Sequence, residues 1–308
     1  YFDELLLRLK TTGVGCTVGP HFVGAVSYAD DVTLIAPSLG GLHRMIQCCC
    51  SFANDFAVRF NAKKTICMKI GSPRSARETL SMDGHEVTWK EECRHLGNYI
   101  NRRLDDSSDC AHKLSAFYSS VNKLIGNFSA VSTKVISRLF RAYCCSFYGS
   151  QLWNLRSKGC DKVLIAWNKA VRRLLGLPYH THTWLLPHLI EQKPLIAQLQ
   201  HRFLNFLHSM LKSENTIVAF FAKRTLVSHA SPLGKNVAIL EYMHSTAITD
   251  RPLTLHRIHT HNPPSIYQQC VISAVVELFN ARNDSHLILI ENFAFNDVTL
   301  LLFLLCAN

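Results

Sequence analysis

The apolar positions near the start of the chain first follow the spacing of strands and then that of a helix. Two short runs rich in β-branched residues, 22–26 and 32–35, flank a polar tip at Asp30-Asp31, and this arrangement predicts a β-hairpin. Over 42–56 the apolar residues recur every three or four positions, which predicts an amphipathic helix.

Strand-like segments return after this helix. Short runs of β-forming residues predict three further strands, at 57–60, 65–70 and 96–100. Asp83-Gly84, with apolar residues on both sides, is typical of a two-residue hairpin turn. The first hundred residues are therefore predicted to mix helix and strand.

Helical spacing dominates after about residue 105. Asp161 is the predicted N-cap of one of these helices, and Gly176 and Pro178 are placed to end it. The signal weakens beyond about residue 213. The predicted helices lie at 114–128, 134–151, 161–175, 194–212 and 265–281.

Composition makes nucleic acid the first candidate partner. The 308 residues are 48% hydrophobic, which is ordinary for a globular protein with a core. They carry 33 Lys and Arg against 22 Asp and Glu, and the net charge of +11 favours polyanions. Nucleic acid comes before an anionic membrane among these, but charge alone does not choose between them.

The cysteines and the ends of the chain indicate where the protein functions. Its twelve cysteines include three consecutive ones at 48–50 and form no Cys-x-x-Cys, which predicts reduced thiols in the cytoplasm or nucleus. The apolar run 298–307 is too short for a membrane span, which takes about twenty residues. The chain opens at Tyr1 in mid-pattern with no signal peptide, so we expect a fragment of a longer protein.

The Asp30-Asp31 pair is the strongest candidate for chemistry. Two adjacent carboxylates at a hairpin tip repel each other unless a cation offsets them, and Mg²⁺ or Mn²⁺ prefers such oxygen ligands. Side chains alternate along a strand, so only a tight turn brings both acids near one ion. The alternative is a solvated acidic turn, which is common. Tyr28-Ala29-Asp30-Asp31 is expected by chance in roughly one chain of this length in several hundred.

Four segments, in family order, resemble those of one protein family. GAVSYADDVTLIAPS resembles motif C of the reverse transcriptases of non-LTR retrotransposons. LHRMIQCCCSFANDFAVRFNAKKT resembles their palm helix and motif D, and HLGNYI resembles motif E, the primer grip. LPYHTHTWLLPHL resembles a stretch in the C-terminal part of retrotransposon polyproteins. The resemblance covers residues 1–190 clearly and the remainder by position.

The resemblance implies an α+β fold and a division into domains. A partial palm, with the motif C β-hairpin and antiparallel strands, is followed by a mostly α-helical thumb and C-terminal region. The expected domains are the partial palm with motifs C, D and E at 1–104, a helical thumb-like domain at 105–200, and a mainly helical segment of unknown role at 201–308.

The resemblance also implies an RNA-directed DNA polymerase that uses two divalent cations, and it assigns roles to single residues. Asp30 corresponds to the direct metal ligand, Asp31 supports it, and Tyr28 is expected near the primer terminus or the minor groove of the template–primer duplex. Lys64 is the candidate proton donor to the departing pyrophosphate, although the sequence does not distinguish it from Lys63. The other motif positions are Ala29, Asn61 and Thr65, of which Asn61 is more typical of a turn.

Contacts with template and primer are expected from motif E and from basic helices. Leu96 and Gly97 belong to the primer-grip motif. Basic side chains on the thumb-like helices are candidates for holding backbone phosphates, and the alternative is a solvated basic face. These side chains are Arg138, Arg141, Lys169, Arg172 and Arg173.

Two groups of histidines invite a zinc interpretation. Neither group has the cysteine partners or the helical spacing of common zinc sites, so we expect no zinc there. The groups are His180, His182 and His188, and His256, His259 and His261.

One departure from the family pattern limits the expected activity. The palm of this family needs a further carboxylate from motif A, and only Asp3 and Glu4, in a helical stretch that does not fit that motif, precede Tyr28. We therefore expect RNA template, DNA primer and dNTP to be used together with the missing N-terminal half, and no efficient polymerisation by this chain alone. The alternatives are a non-catalytic retrotransposon remnant, at most a basic nucleic-acid-binding module, and an unrelated helical scaffold.

Overall fold

The computed structural model describes residues 2–71, 79–128, 131–248 and 300–306, which belong to two compact units. Unit 1 consists of Tyr1–Ser108 with Ile290–Asn308, and unit 2 consists of Asp109–Leu289. Unit 1 combines helices with mostly antiparallel strands, and the described part of unit 2 is helical, so the predicted α+β class is confirmed. The predicted helix at 265–281 and the second histidine group lie outside the described residues.

The described part of unit 1 contains two helices and a set of short strands. The helices are α1 (Phe2–Thr11) and α2 (Leu39–Asp55). The strands are β1 (Thr17–Val18), β2 (His21–Phe22), β3 (Ala25–Tyr28), β4 (Asp31–Ala36), β5 (Ile66–Ile70), β6 (Ser81–Met82), β7 (His85–Glu86), β8 (Thr88–Trp89), β9 (Glu92–His95), β10 (Asn98–Asn101) and β11 (Leu300–Cys306).

A five-stranded sheet in the order β3-β4-β11-β5-β8 organises unit 1. β11 pairs antiparallel with both neighbours, so that Leu304 lies opposite Thr33 on one side and Ile66 on the other. β4 and β5 consequently run in the same direction with one strand between them, about 10 Å apart. None of the described helices is long and apolar enough to cross a membrane.

Each face of this sheet is covered by a different element. Alternation along β4 turns Val32, Leu34 and Ala36 towards α1 and α2, where all three are fully buried. Ile35 points to the opposite face and joins an apolar cluster that includes Cys93 and Ile100 of the β9–β10 hairpin. Asp31 and Thr33, which alternate with the buried residues of β4, therefore point to the side of the β9–β10 hairpin.

Local backbone preferences explain where the strand predictions were right and wrong. The predicted strand at 57–60 is wrong, because Ala57 has a φ of 53° and the chain turns there. Leu96 and Gly97 have φ values of 47° and 80° and form the turn between β9 and β10, so the strand predicted over 96–100 begins only at Asn98. The turn predicted at Asp83-Gly84 is confirmed between β6 and β7.

The described part of unit 2 is built from helices and one 3-10 turn. The helices are α3 (Ser107–Asn127, which begins in unit 1), α4 (Thr133–Tyr143), α5 (Lys158–Leu174), α6 (Leu186–Leu189), α7 (Leu195–Leu211), α8 (Thr216–Val227) and α9 (Pro232–Ile248), and the 3-10 turn is Ser150–Leu152.

Three of the predicted boundaries of these helices are wrong. The helix predicted over 114–128 begins earlier, at Ser107. The helix predicted over 134–151 ends at Tyr143, because Arg202 donates hydrogen bonds to backbone carbonyls of the following turn, among them those of Cys145 (2.8 Å) and Phe147 (3.1 Å). Asp161 is not the N-cap of α5, because the Ser157 hydroxyl accepts the Cys160 N–H at 3.1 Å and starts the helix earlier.

A buried polar cluster lies within the core of unit 2. The Asp109 carboxylate accepts hydrogen bonds from Lys113 Nζ (2.7 and 2.5 Å) and from Trp153 Nε1 (2.6 Å). The Asn236 side chain, also buried, accepts the Leu155 N–H at 2.9 Å and donates to the Trp153 carbonyl at 2.7 Å. These bonds satisfy polar groups that are costly to bury unpaired.

Candidate metal centre and nucleic-acid interface

The carboxylate pair lies at the tip of the β3–β4 hairpin. Tyr28 pairs with Asp31 across the hairpin, which leaves Ala29 and Asp30 as a two-residue turn. Ala29 has a φ of 53°, a backbone region that side-chain-bearing residues adopt infrequently. Asp30 is exposed at the tip, and Asp31 is half-buried at the start of β4.

The face of the hairpin that carries Asp31 exposes two large side chains near the tip. Residues paired across antiparallel strands point to the same side, so Tyr28 lies beside Asp31 and Val26 beside Thr33. The Tyr28 side chain is 66% exposed and Val26 is 54% exposed. An exposed ring next to a carboxylate suits the end of a nucleic-acid duplex, which presents both a base face and phosphates.

His95 reaches the same face from the neighbouring hairpin. Its Nε2 lies 3.4 Å from the Thr33 hydroxyl oxygen. Burial lowers the pKa of His95, and the Asp31 carboxylate acts in the opposite direction, which places the two side chains within electrostatic range of each other. The Leu96-Gly97 turn, which the resemblance assigns to motif E, follows His95 directly.

Sequence reasoning missed Thr33 and His95. The sequence contains a signal for Thr33, because strand alternation places it on the same side as Asp31. It contains no such signal for His95, because the position of His95 depends on the packing of β9–β10 against the sheet. Neither residue belongs to the YADD tetrapeptide.

Asp30 and Asp31 are suitable ligands for a hard divalent cation whose remaining ligands come from outside the chain. Mg²⁺ in such sites takes one or two carboxylates and fills its other positions with water and substrate phosphates. Within the described part of the chain, no three or more metal-ligating side chains come together as a possible metal site. His180, His182 and His188 therefore do not form such a group. Glu4 Oε1 is paired with Arg8 Nε at 3.1 Å.

Lys63 and Lys64 are both exposed on a turn that Asn61 organises. The Asn61 side-chain oxygen accepts the backbone N–H groups of Lys63 (3.1 Å) and Lys64 (3.2 Å). The Asn61 carbonyl accepts the hydroxyl of buried Thr65 at 2.9 Å, which ties the turn to the start of β5. The turn leads into β5, which is separated from β4 by β11 and therefore lies about 10 Å from it.

The five candidate phosphate contacts in unit 2 differ in their surroundings. Arg138 and Arg141 on α4, and Lys169 on α5, are exposed. Arg173 is also exposed and donates to the Asn122 side-chain oxygen at 3.2 Å. Arg172 is half-buried, and its guanidinium donates twice to a backbone carbonyl, so it also holds the local structure together.

Comparison with known proteins gives one informative similarity. No family model and no solved structure matches the chain. The chain is 21% identical over 252 residues to the RNA-directed DNA polymerase from mobile element jockey of Drosophila melanogaster. The match covers 78% of this chain and 26% of that protein, so the chain spans about a quarter of the relative's length. The resemblance predicted from the motifs is thereby confirmed.

Proposed function

We propose that this chain, which is related in sequence to the reverse transcriptase of a LINE-type retrotransposon, carries part of the metal centre of an RNA-directed DNA polymerase. The observation that carries the proposal is the shared face of Tyr28, Asp31, Thr33 and His95, next to the Leu96-Gly97 turn. Asp30 and Asp31 are the proposed ligands of Mg²⁺ or Mn²⁺.

The residues of unit 1 divide the work of nucleotide addition. When bound, the divalent cations make the primer 3′ hydroxyl a better nucleophile and offset charge on the leaving pyrophosphate. Asp30 and Asp31 place two carboxylates at the hairpin tip to bind these cations. Tyr28 offers its exposed ring to the terminal base pair of RNA template and DNA primer, and Leu96-Gly97 supports the primer backbone beside it.

Lys64 is the proposed proton donor to pyrophosphate. Lys64 lies on the turn that leads into β5, and β5 runs two strand spacings, about 10 Å, from β4, which begins at Asp31. A lysine stem reaches several ångströms, so an ammonium group starting about 10 Å away approaches a phosphate bound beside the carboxylates. The choice of Lys64 over Lys63 rests on the resemblance of this segment to motif D, since both lysines are exposed on the same turn.

A further carboxylate is needed for efficient catalysis. Glu4 is paired with Arg8, and Arg8 also pairs with Asp55 at 2.5 Å, so Glu4 is not a free replacement. We propose that this chain acts together with an upstream palm segment. Alone, with Mg²⁺, template–primer and dNTPs, it is expected not to extend a primer, and robust extension would contradict this.

A second candidate function is a non-catalytic module that binds nucleic acid in the cytoplasm or nucleus. It is favoured by the presence of only two adjacent acids, rather than a fuller ligand set, at the candidate centre in the described residues. Both functions require a nucleic-acid surface on unit 2, where Arg138, Arg141, Lys169 and Arg173 are exposed.

Salt-dependent binding tests this shared requirement. The dissociation constant of an RNA–DNA hybrid is expected to rise steeply with salt, and Arg138→Gln/Arg141→Gln is expected to reduce the log–log slope by about 1.8, or about 0.9 per phosphate contact. Lys212→Gln/Lys223→Gln removes the same charge from exposed positions of unit 2 and serves as the control. A slope near zero would instead identify the unrelated helical scaffold.

A further inference from the structure

The loop that follows α5 presents two aromatic side chains to solvent. Tyr179 is 83% exposed and Trp184 is 63% exposed, whereas Trp153 and Trp167 in the same unit are each 1% exposed. Aromatic rings of this size normally contribute most by being covered. Two uncovered rings within six residues of each other are therefore available to stack on a ligand, provided that neighbouring groups attract one.

The loop is held in place rather than left to move freely. Arg172 Nε and Nη2 donate to the Thr181 carbonyl at 3.1 and 2.8 Å, and the guanidinium carbon lies 6.0 Å from the Tyr179 ring centroid. The Thr181 N–H and hydroxyl both donate to the Pro178 carbonyl, at 3.0 and 2.8 Å. A fixed loop loses little conformational entropy when a ligand binds.

A basic stripe on α5 leads to this loop. We define it as Lys158, Lys162, Ile165, Lys169 and Arg173, all of which are exposed. At 100° per residue these five positions fall within an arc of about 80° and extend about 22 Å along the helix. The face opposite the stripe, which includes Val163, Trp167 and Ala170, is buried.

Arg172 connects the stripe to the aromatic loop. It lies beside the stripe on the solvent side of α5, so the Tyr179 ring that its guanidinium contacts lies at the C-terminal end of the stripe. The only acidic residue on α5, Asp161, is near its other end. Positive charge therefore runs along one surface towards exposed rings.

We infer that the basic stripe and the aromatic loop together bind unpaired nucleotides of single-stranded RNA or DNA. Lysine and arginine side chains along a groove or helix attract the phosphates, and exposed aromatic rings stack on free bases. The bases of a duplex already stack on one another, so a duplex uses the stripe but not the rings. This site lies in unit 2 and does not involve Asp30 or Asp31.

Fluorescence anisotropy of the whole chain tests the inference with three labelled ligands. They are an unpaired RNA of about 12 nucleotides, the DNA of the same sequence, and an RNA–DNA hybrid of the same length. Tyr179→Ala/Trp184→Ala is expected to weaken binding of the single strands about tenfold or more, and binding of the hybrid less than twofold. RNA and DNA results together show which strand the site prefers.

A matched control is available in the same unit. Tyr143 and Tyr148 are 71% and 63% exposed, and Tyr143→Ala/Tyr148→Ala is expected to leave the affinity for single strands unchanged. Equal losses in both double variants, or equal losses for single strands and hybrid, would overturn the inference. An absence of single-strand binding by the natural chain would also overturn it and leave a protein partner as the other occupant.

A second variant keeps the test independent of folding and of the metal centre. Single strands are expected to quench the fluorescence of exposed Trp184, and Trp184→Phe is expected to remove this quenching while keeping affinity within about threefold, since a phenyl ring still stacks. Asp30→Asn/Asp31→Asn is expected to bind single strands normally. Quenching that persists in Trp184→Phe would contradict the inference, whether or not Asp30→Asn/Asp31→Asn binds single strands normally.

Discussion

If the proposed function is right, replacing Asp30 with Asn is expected to lower template-directed nucleotide addition about a thousandfold in the proposed polymerase. The amide keeps the shape of the side chain but loses the charge that we propose holds a divalent cation at the hairpin tip. Metal-based stabilisation of a transition state amounts to several kcal/mol, and about 4 kcal/mol corresponds to three orders of magnitude in rate. Single-turnover primer extension at saturating Mg²⁺ measures this loss.

Asp83 provides a matched control for this substitution. It is an exposed acid at the tip of the β6–β7 hairpin, with a positive φ of 49°. Asp83→Asn removes one negative charge from a similar turn and is expected to leave the extension rate within about twofold, because its carboxylate is not assigned to a metal. Comparable rate losses in both variants would mean that general electrostatics, rather than metal ligation, explains the effect.

Replacing Asp109 with Ala is expected to destabilise unit 2 by about 3–5 kcal/mol. The side chains of Asp109 and Lys113 are only 7% and 13% exposed, so the substitution removes the carboxylate from a buried ammonium group and from the Trp153 indole N–H. Thermal unfolding followed by circular dichroism is expected to show a midpoint lower by about 10 °C.

The double variant Asp109→Leu/Lys113→Met separates the cost of an unpaired charge from the value of the ion pair itself. Replacing both partners of a buried pair with apolar side chains is often neutral, so most of the lost stability is expected to return. If the double variant is as unstable as Asp109→Ala, packing around Trp153, and not the uncompensated Lys113, accounts for the loss.

Local chemistry predicted the hairpin and much of the helical pattern. The β-branched runs around Asp30-Asp31 and the Asp83-Gly84 turn are found where strand periodicity and turn preferences place them. Leu96-Gly97 was assigned to a strand because its neighbours are apolar, yet the backbone turns there and β10 begins at Asn98. Such short segments offer too few positions for periodicity to decide.

Non-local pairing was beyond the reach of sequence patterns. The sequence indicates only that the apolar run 298–307 is too short for a membrane span. In the structure, Leu300–Cys306 is the central strand of the five-stranded sheet in unit 1. Its partners, β4 and β5, lie more than two hundred positions earlier in the chain. The contact between His95 and Thr33 likewise depends on how two hairpins pack.

A misplaced helix start concealed the N-terminal end of the basic surface on α5. With Asp161 taken as the N-cap, Lys158 fell outside the helix, and only Lys169, Arg172 and Arg173 were assigned to nucleic acid. Ser157 caps the helix instead, which aligns Lys158 and Lys162 with Lys169 and Arg173 on one face. The contacts of Arg172 with the Thr181 carbonyl and the Tyr179 ring, which the sequence does not reveal, show that Arg172 positions the Tyr179 loop.

Iron-directed cleavage of the backbone tests the central claim most directly. Fe²⁺ that replaces Mg²⁺ generates hydroxyl radicals in the presence of ascorbate and peroxide, and these cut the chain close to the bound ion. With an RNA–DNA hybrid present, cuts are predicted within 28–33 and 93–97, and they are predicted to disappear in Asp30→Asn/Asp31→Asn. Cuts elsewhere in the chain, or cuts at the same places that persist in the double variant, would contradict a metal centre at this hairpin.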